Sequence, residues 1–361
     1  MDLQYTDKQP LLPEHGHCQC CYEQGNCRKP RNRFLRACIA IVLFILGFHV
    51  IGHYYRHHQL HHHYRDGEDL LEASISTHPS CWQLHPDIPW NGKSVYTVSD
   101  AYDGLRIKQK HPDHINVRGG QVDVYVNHQV SETTVIFDIK LSSEIEQDVV
   151  DIVQQDEEDG TYSLIITDRQ DGDSGLVKAC IQLDITVYLP NADALGTLEI
   201  ALANNNINIH DYINVSEALS LAVANGDIKF ENVTAGAATV SVANGNVAGL
   251  LHELQGALTS TTARGDIDIR VLSLNVAELA KITLTSSYGT VTSQFPDKVN
   301  SSFELNTVIG KIVVTSKEND KLHITEAIGR RRIRGYYGSQ DGVLADINLT
   351  TVYGGITLKF A

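Results

Sequence analysis

From about residue 205 the chain repeats one short pattern. A Gly or Asn is followed by one small or polar residue, then by Ile or Val opening an alternating run. Asn205-Asn206-Ile207, Gly226-Asp227-Ile228, Gly245-Asn246-Val247, Gly265-Asp266-Ile267, Gly289-Thr290-Val291, Gly310-Lys311-Ile312 and Gly354-Gly355-Ile356 all carry it. The first six β-branched positions are spaced by 21, 19, 20, 24 and 21 residues. The gap of 44 to Ile356 fits two coils, the intermediate one falling around Ile333 in the Arg-rich stretch Arg330–Arg334. Within a repeat, Leu219, Leu221 and Val223 alternate with Ser220 and Ala222; beyond Asn225-Gly226, Ile228 and Phe230 flank Lys229. Such alternation sends aliphatic side chains to one face of a strand and polar ones to the other. Each coil is therefore expected to hold two strands joined at a corner where Gly or Asn tolerates positive φ. One coil cannot bury its own inner face, so neighbours must stack. The predicted class is all-β: a parallel β-solenoid, or β-helix, with coils of about 20 residues.

Residues 93–200 also alternate, in Gln121–Val126, Thr134–Leu141, Tyr162–Thr167 and Ile181–Leu189, but without the short period. They are expected to be irregular β-strands forming the first turns of the same structure. The acidic loops 156–160 and 168–175 separate them; the second misses calcium-loop spacing and is expected to be a solvated turn.

The N-terminal third differs. Ala37–Tyr55 is a 19-residue run without Asp, Glu, Lys or Arg, close to the roughly 20 residues a helix needs to cross a bilayer. Arg28, Lys29, Arg31, Arg33 and Arg36 precede it, against Arg56 and Arg65 just after it. The positive-inside rule then places the N-terminus in the cytosol, a single-pass type II topology. The expected organisation is a disordered cytosolic tail (1–36), a transmembrane helix (37–55), a His-rich stalk and linker (56–92) and an ectodomain (93–361).

The tail holds Asp7 followed by Leu11 and Leu12, which resembles an acidic dileucine sorting signal and implies a clathrin adaptor as partner and an endosome or vacuole as destination. Cys18, Cys20, Cys21 and Cys27 lie in a basic juxtamembrane context that fits S-palmitoylation, with free thiols or a metal site as other readings. His49, His53, His57 and His61 recur every four residues. On a continued helix they would share a face and could ligate a metal ion or sense pH; the alternative is a low-complexity stalk.

Composition narrows the function. In 361 residues, 29 Lys and Arg face 44 Asp and Glu, a net charge of −15. Nucleic acid is not an expected partner, since that needs clustered cations. No G-x-S-x-G, H-E-x-x-H or phosphate-binding glycine loop occurs, and no cofactor is expected. Asp227, Asp266 and Asp268 could stack on neighbouring faces as a carboxylate set for a carbohydrate-active enzyme, but they sit at turn and exposed-strand positions where solubility explains them. Four sequons, at Asn214, Asn232, Asn300 and Asn348, all lie beyond the expected span, and at least two are expected to be glycosylated. Cys81 and Cys180 are the only cysteines beyond it and could pair in an oxidising compartment. Arg264-Gly265-Asp266 spells an integrin-type tripeptide, but the repeat already accounts for its Gly and Asp.

Ile185-Thr186-Val187-Tyr188-Leu189-Pro190, running into Leu198-Glu199-Ile200 and then into Gly-Asp-Ile units, resembles the adhesin family of β-solenoid domains over about residues 93–361. That family includes fungal proteins with an N-terminal membrane anchor, and the resemblance carries no catalytic residues with it. The expectation is a non-enzymatic membrane glycoprotein, at the cell surface or in the vacuole or endosome, displaying a solenoid for glycans or proteins. An endosomal or vacuolar component whose stalk handles metal or pH, and a tethered carbohydrate-active enzyme, are the alternatives.

Overall fold

The computed structural model describes residues 81–110, 115–168 and 179–361. The expected cytosolic tail and span, the stalk histidines His49, His53, His57 and His61, Asp7, Leu11, Leu12 and Cys18, Cys20, Cys21 and Cys27 lie outside the described residues. Among the described residues no helix is long and apolar enough to cross a membrane.

The regular body runs through β10 (Leu195–Leu202), β11 (Asn206–Ile209), β12 (Ile213–Asn225), β13 (Ile228–Asn244), β14 (Val247–Leu254), β15 (Leu258–Arg264), β16 (Ile267–Val271), β17 (Ala280–Tyr288) and β18 (Val291–Phe295). Before it come β1 (Ile88–Pro89), β2 (Val95–Val98), β3 (Gly104–Gln109), β4 (Ile115–Gly119), β5 (Gln121–Val126), β6 (Thr133–Leu141), β7 (Val150–Asp156), β8 (Thr161–Asp168) and β9 (Ala179–Leu189). After it come β19 (Ser301–Ile309), β20 (Ile312–Ser316), β21 (Leu322–Ile328), β22 (Arg332–Tyr337), β23 (Ala345–Tyr353) and β24 (Ile356–Phe360).

In the body each coil stacks in parallel on the one before it. Ile207 pairs with Ile228, Ile228 with Val247, Val247 with Ile267, and Ile267 with Val291. All five are buried, so the β-branched position of the repeat forms an interior column. The two-strand coil of the sequence reading is incomplete. A third short parallel run links Ile213 to Val233 and Val233 to Leu251, with an isolated Leu254–Leu274 bridge further on. Each body coil therefore has three sides.

The corner explains the glycine. Gly265 has φ +145°, and a Cβ there would lie 1.9 Å from the Gly245 carbonyl oxygen. Gly289 would meet the Gly265 carbonyl equally closely. No side chain fits where successive corners stack this tightly. The next residue of the motif closes the ladder. The Asp227 N–H donates to Asn206 Oδ1 (2.9 Å), Asn246 N–H to Asp227 Oδ1 (2.7 Å), Asp266 N–H to Asn246 Oδ1 (2.9 Å) and Thr290 N–H to Asp266 Oδ1 (2.6 Å). Each short Asx side chain satisfies a backbone donor of the following coil.

At both ends the stacking order departs from the chain order. The last coil does not follow β19 and β20. It inserts inside them, β23 lying between β17 and β19 and β24 between β18 and β20. The residues around Ile333 form no coil. They belong to an antiparallel hairpin, β21–β22, laid on β19. The 44-residue gap thus holds a hairpin and an inserted coil, not two successive coils.

The N-terminal end mirrors this. β3 and β5 lie inside, pairing with β10 and β11, while the later β8 and β9 stack outside them. Antiparallel β7 and β6 then cover β8 and β9, with β2 and β1 along β6. The fold is an all-β parallel solenoid with antiparallel ends.

Candidate functional site

One face of the solenoid runs through β7, β8, β3, β10, β12, β13, β15, β17, β23, β19, β22 and β21, each paired with the next. Its inner side is aliphatic and buried, as in Leu219, Leu221, Ile282, Leu284, Ile347 and Leu349. Its outer side is the product of the polar half of the same alternation. Two outward columns cross the middle in register: Ser220, Thr239, Thr259, Thr283 and Asn348, and Ala222, Ser241, Thr261, Thr285 and Thr350. Hydroxyls link neighbouring coils, as between Ser241 and Thr261 (3.1 Å). Threonine suits this surface because a β-branched side chain packs well on a pleat while its hydroxyl stays outward. No Lys, Arg, Asp or Glu occurs in either column.

Ion-pair networks bracket the hydroxyl zone. On the N-terminal side Arg106 Nε lies 2.6 Å and Lys108 Nζ 2.9 Å from the Glu199 carboxylate, with Glu157 and Asp159 beside the guanidinium. Burial alone would raise the Glu199 pKa; hydrogen bonds from Lys108 and Arg106 outweigh it and hold the carboxyl below its ordinary value. On the C-terminal side Arg334 (2.6 Å) and Arg332 (3.1 Å) converge on Glu304. Glu304 also lies below its ordinary value, burial again being overcome by hydrogen bonds from Arg334 and Asn306.

Three other features line the solenoid. Tyr125 stacks on His210 (4.6 Å) and on Tyr188 (6.0 Å), and His210 Nε2 lies 2.6 Å from Asp123 Oδ1. Tyr288 and Tyr353 stack at 4.8 Å in the corner column between Arg264 and Ile309. A cleft of 590 Å³ near the terminal hairpin is lined by Asp297, Lys298, Asn300, Asp320, His323 and Tyr336, among others. Tyr288 and Tyr353 share the repeat position just before the corner glycine, whereas the Tyr125 column and the cleft do not follow from the repeat.

Among the described residues no three His, Cys, Asp or Glu side chains are grouped to hold a metal ion. Asp227 and Asp266 are engaged by backbone N–H groups of the corner ladder, and Asp268 lies 3.9 Å from Arg270 on an outward strand position. The sequons fall into two pairs. Asn232, with φ +57°, and Asn348 are exposed. Asn214 donates to Asp193 (2.7 Å), and Asn300 accepts from Ser339 N–H (3.1 Å); both are half-buried. Cys81 and Cys180 form a disulfide with Cα atoms 5.4 Å apart, tying the start of the described chain to the outer coil strand β9.

The Toastrack DUF4097 family profile matches residues 112–326. The chain belongs to this family. It is similar to a solved Clostridium sporogenes protein whose name points to cell adhesion, at 12% identity, covering 76% of this chain and 100% of that one with a TM-score of 0.33. Proteins of Bacteroides fragilis and Parabacteroides merdae whose names point to adhesins give 10% and 12% identity. These matches cover 74% and 75% of this chain and 98% of each of theirs, with TM-scores of 0.33 and 0.32. No curated protein matches the chain.

Proposed function

We propose that this chain is a single-pass type II membrane glycoprotein that displays its solenoid as a non-catalytic binding or adhesion module. The observation that carries the reading is the uncharged hydroxyl face, continuous across five stacked strands from β12 to β23. Closely spaced Ser and Thr hydroxyls on a rigid sheet offer donors and acceptors to an extended polar ligand such as a glycan or a partner's polar strand. The engagement of Asp227 and Asp266 in the corner ladder supports a structural role for those carboxylates over a catalytic one.

The Ala37–Tyr55 run anchors the molecule in a lipid bilayer, with the tail meeting a clathrin adaptor through Asp7, Leu11 and Leu12. The Cys81–Cys180 bond supports an oxidising compartment for the solenoid. Exposure favours Asn232 and Asn348 for glycosylation, and a glycan on Asn348 would confine ligand binding to the β12–β17 part of the hydroxyl face. The membrane is that of the cell surface or of the endosome and vacuole.

The test is a screen of the full chain against immobilised glycans and proteins, repeated with Thr259→Arg and Thr283→Arg together. Saturable binding that falls at least about tenfold in the double variant supports the hydroxyl face as the site. Binding that is absent, or indifferent to the substitutions, contradicts it. Protease protection of the tail, with a glycosidase-sensitive solenoid, tests the topology separately.

A further inference from the structure

The long face has two free edges among the described strands. β7 pairs only with β8, and β21 only with β22. Unpaired strand edges are templates for another chain. Two differences between these edges make them complementary.

The first is charge. Between Ser142 and Gly160 the chain holds eight acidic residues and no Lys or Arg. Glu144, Asp148, Asp156 and Glu158 are exposed there. β21 itself holds one Glu and no Lys or Arg; Lys321 pairs with Glu318, and Arg332 and Arg334 with Glu304, so the cations beside this edge are those of its turn. Arg330 and Arg331 are exposed in the turn joining β21 to β22. Like charge at one end opposes pairing of β7 with β7, or of β21 with β21. Opposite charge favours β21 against β7.

The second is register. Val153 on β7 pairs with Ile165 on β8. From Ile165 an unbroken row of partners crosses every strand of the face to Arg332 on β22, which pairs with Ile328 on β21. The two ends of this row are large aliphatic residues left in water, Val153 at 41% and Ile328 at 53% exposure. β21 runs parallel to the body strands and β7 antiparallel to them. A following copy that continues the row would place Ile328 opposite Val153 in an antiparallel pair, with Arg330 and Arg331 towards the Glu144–Asp151 end of the acidic segment.

We propose that copies of this chain associate head to tail, the β21 edge of one, with its Arg330–Arg331 turn, adding to the acidic β7 edge of the next. A heterologous contact that continues the strand row from one copy to the next builds an open row of solenoids. The proposal does not depend on what the hydroxyl face binds.

The experiment places the photo-cross-linking amino acid benzoylphenylalanine at position 328 of the full chain in detergent, with isotopically heavy and light copies mixed. The expected product joins position 328 of one copy to residues 150–156 of another. Arg330→Glu with Arg331→Glu should cut its yield about tenfold, and mixing that variant with a Glu144→Lys, Asp148→Lys copy should restore it. The unsubstituted chain, followed by sedimentation, should shift towards monomer as salt rises, since the attraction is screened. Cross-links confined to one copy, cross-links from position 328 to residues 321–334 of a second copy, or a salt-independent monomer would each overturn the proposal.

Discussion

The middle of this solenoid and its two ends follow different rules. From β10 to β18, order in the chain is order in space, and each corner stacks on the corner about 20 residues earlier. At both ends one coil is instead tucked inside its sequence neighbour, and antiparallel strands form the outer edges. The difference shows how a repeat can stop. β3 and β24 each lie between two parallel partners, and the outer edges of the long face go to β7 and β21. The antiparallel edge strands then present alternating, charged sequence in place of one more aliphatic rung.

The sharpest way to break the comparison is at the glycines. Gly265→Val puts a Cβ into the Gly245 carbonyl at φ +145°, and should cost about 3 kcal/mol or more or prevent folding. Gly342→Ala, in an end turn with nothing within 4 Å and φ +71°, should cost only about 1 kcal/mol. Denaturant melts of both variants check the contrast, and equal losses would undo it.

A similar asymmetry concerns the disulfide, which serves one end only. Reduction, or Cys180→Ser, should lower stability by about 2–5 kcal/mol and should raise amide exchange first in β9, β6 and β7. Uniform exchange across the body coils would show that the end is not a separate unit.

Acid should act on the ends before the middle. Glu199 and Glu304 are both held below the ordinary value of 4.5. Their contribution is complete above that value and is lost as pH falls through the lower folded-state pKa. Stability should therefore drop below about pH 4, and Glu199→Gln with Glu304→Gln should flatten that drop by about 1 kcal/mol. An unchanged acid limb would remove the networks from the account.

The smallest expected effect has the opposite sign and belongs to the middle. Ser260 is fully buried between Val240 and Leu284, and its hydroxyl has no hydrogen-bond partner. Ser260→Ala should raise stability by about 1 kcal/mol, which a thermal melt would register.

The sequence carries the body of this fold openly. Gly226, Gly245 and Gly265 mark corners, and Ile228, Val247 and Ile267 mark the column beneath them. The order of the ends is hidden for a physical reason. Gly354-Gly355-Ile356 has the same corner and the same alternation as its neighbours, so it specifies register within a coil and says nothing of which coil lies beside it. Arg330–Arg334 interrupts the pattern visibly, but an interruption does not announce a hairpin. The third side of each coil escapes because Ile213, Val233 and Leu251 belong to runs too short for alternation to show. The hydroxyl face was legible as polar positions; its bracketing by Arg106–Glu199 and Arg334–Glu304 was not, since those pairs join residues far apart in the chain.

The inserted coil can be tested by disulfide trapping in register. Thr357 pairs with Thr292 on one side and with Val313 on the other. The account predicts ready bond formation in the doubles Thr292→Cys, Thr357→Cys and Val313→Cys, Thr357→Cys, and none in Thr292→Cys, Val313→Cys. A bond between positions 292 and 313, the neighbours that a simple chain-order solenoid would create, would contradict it.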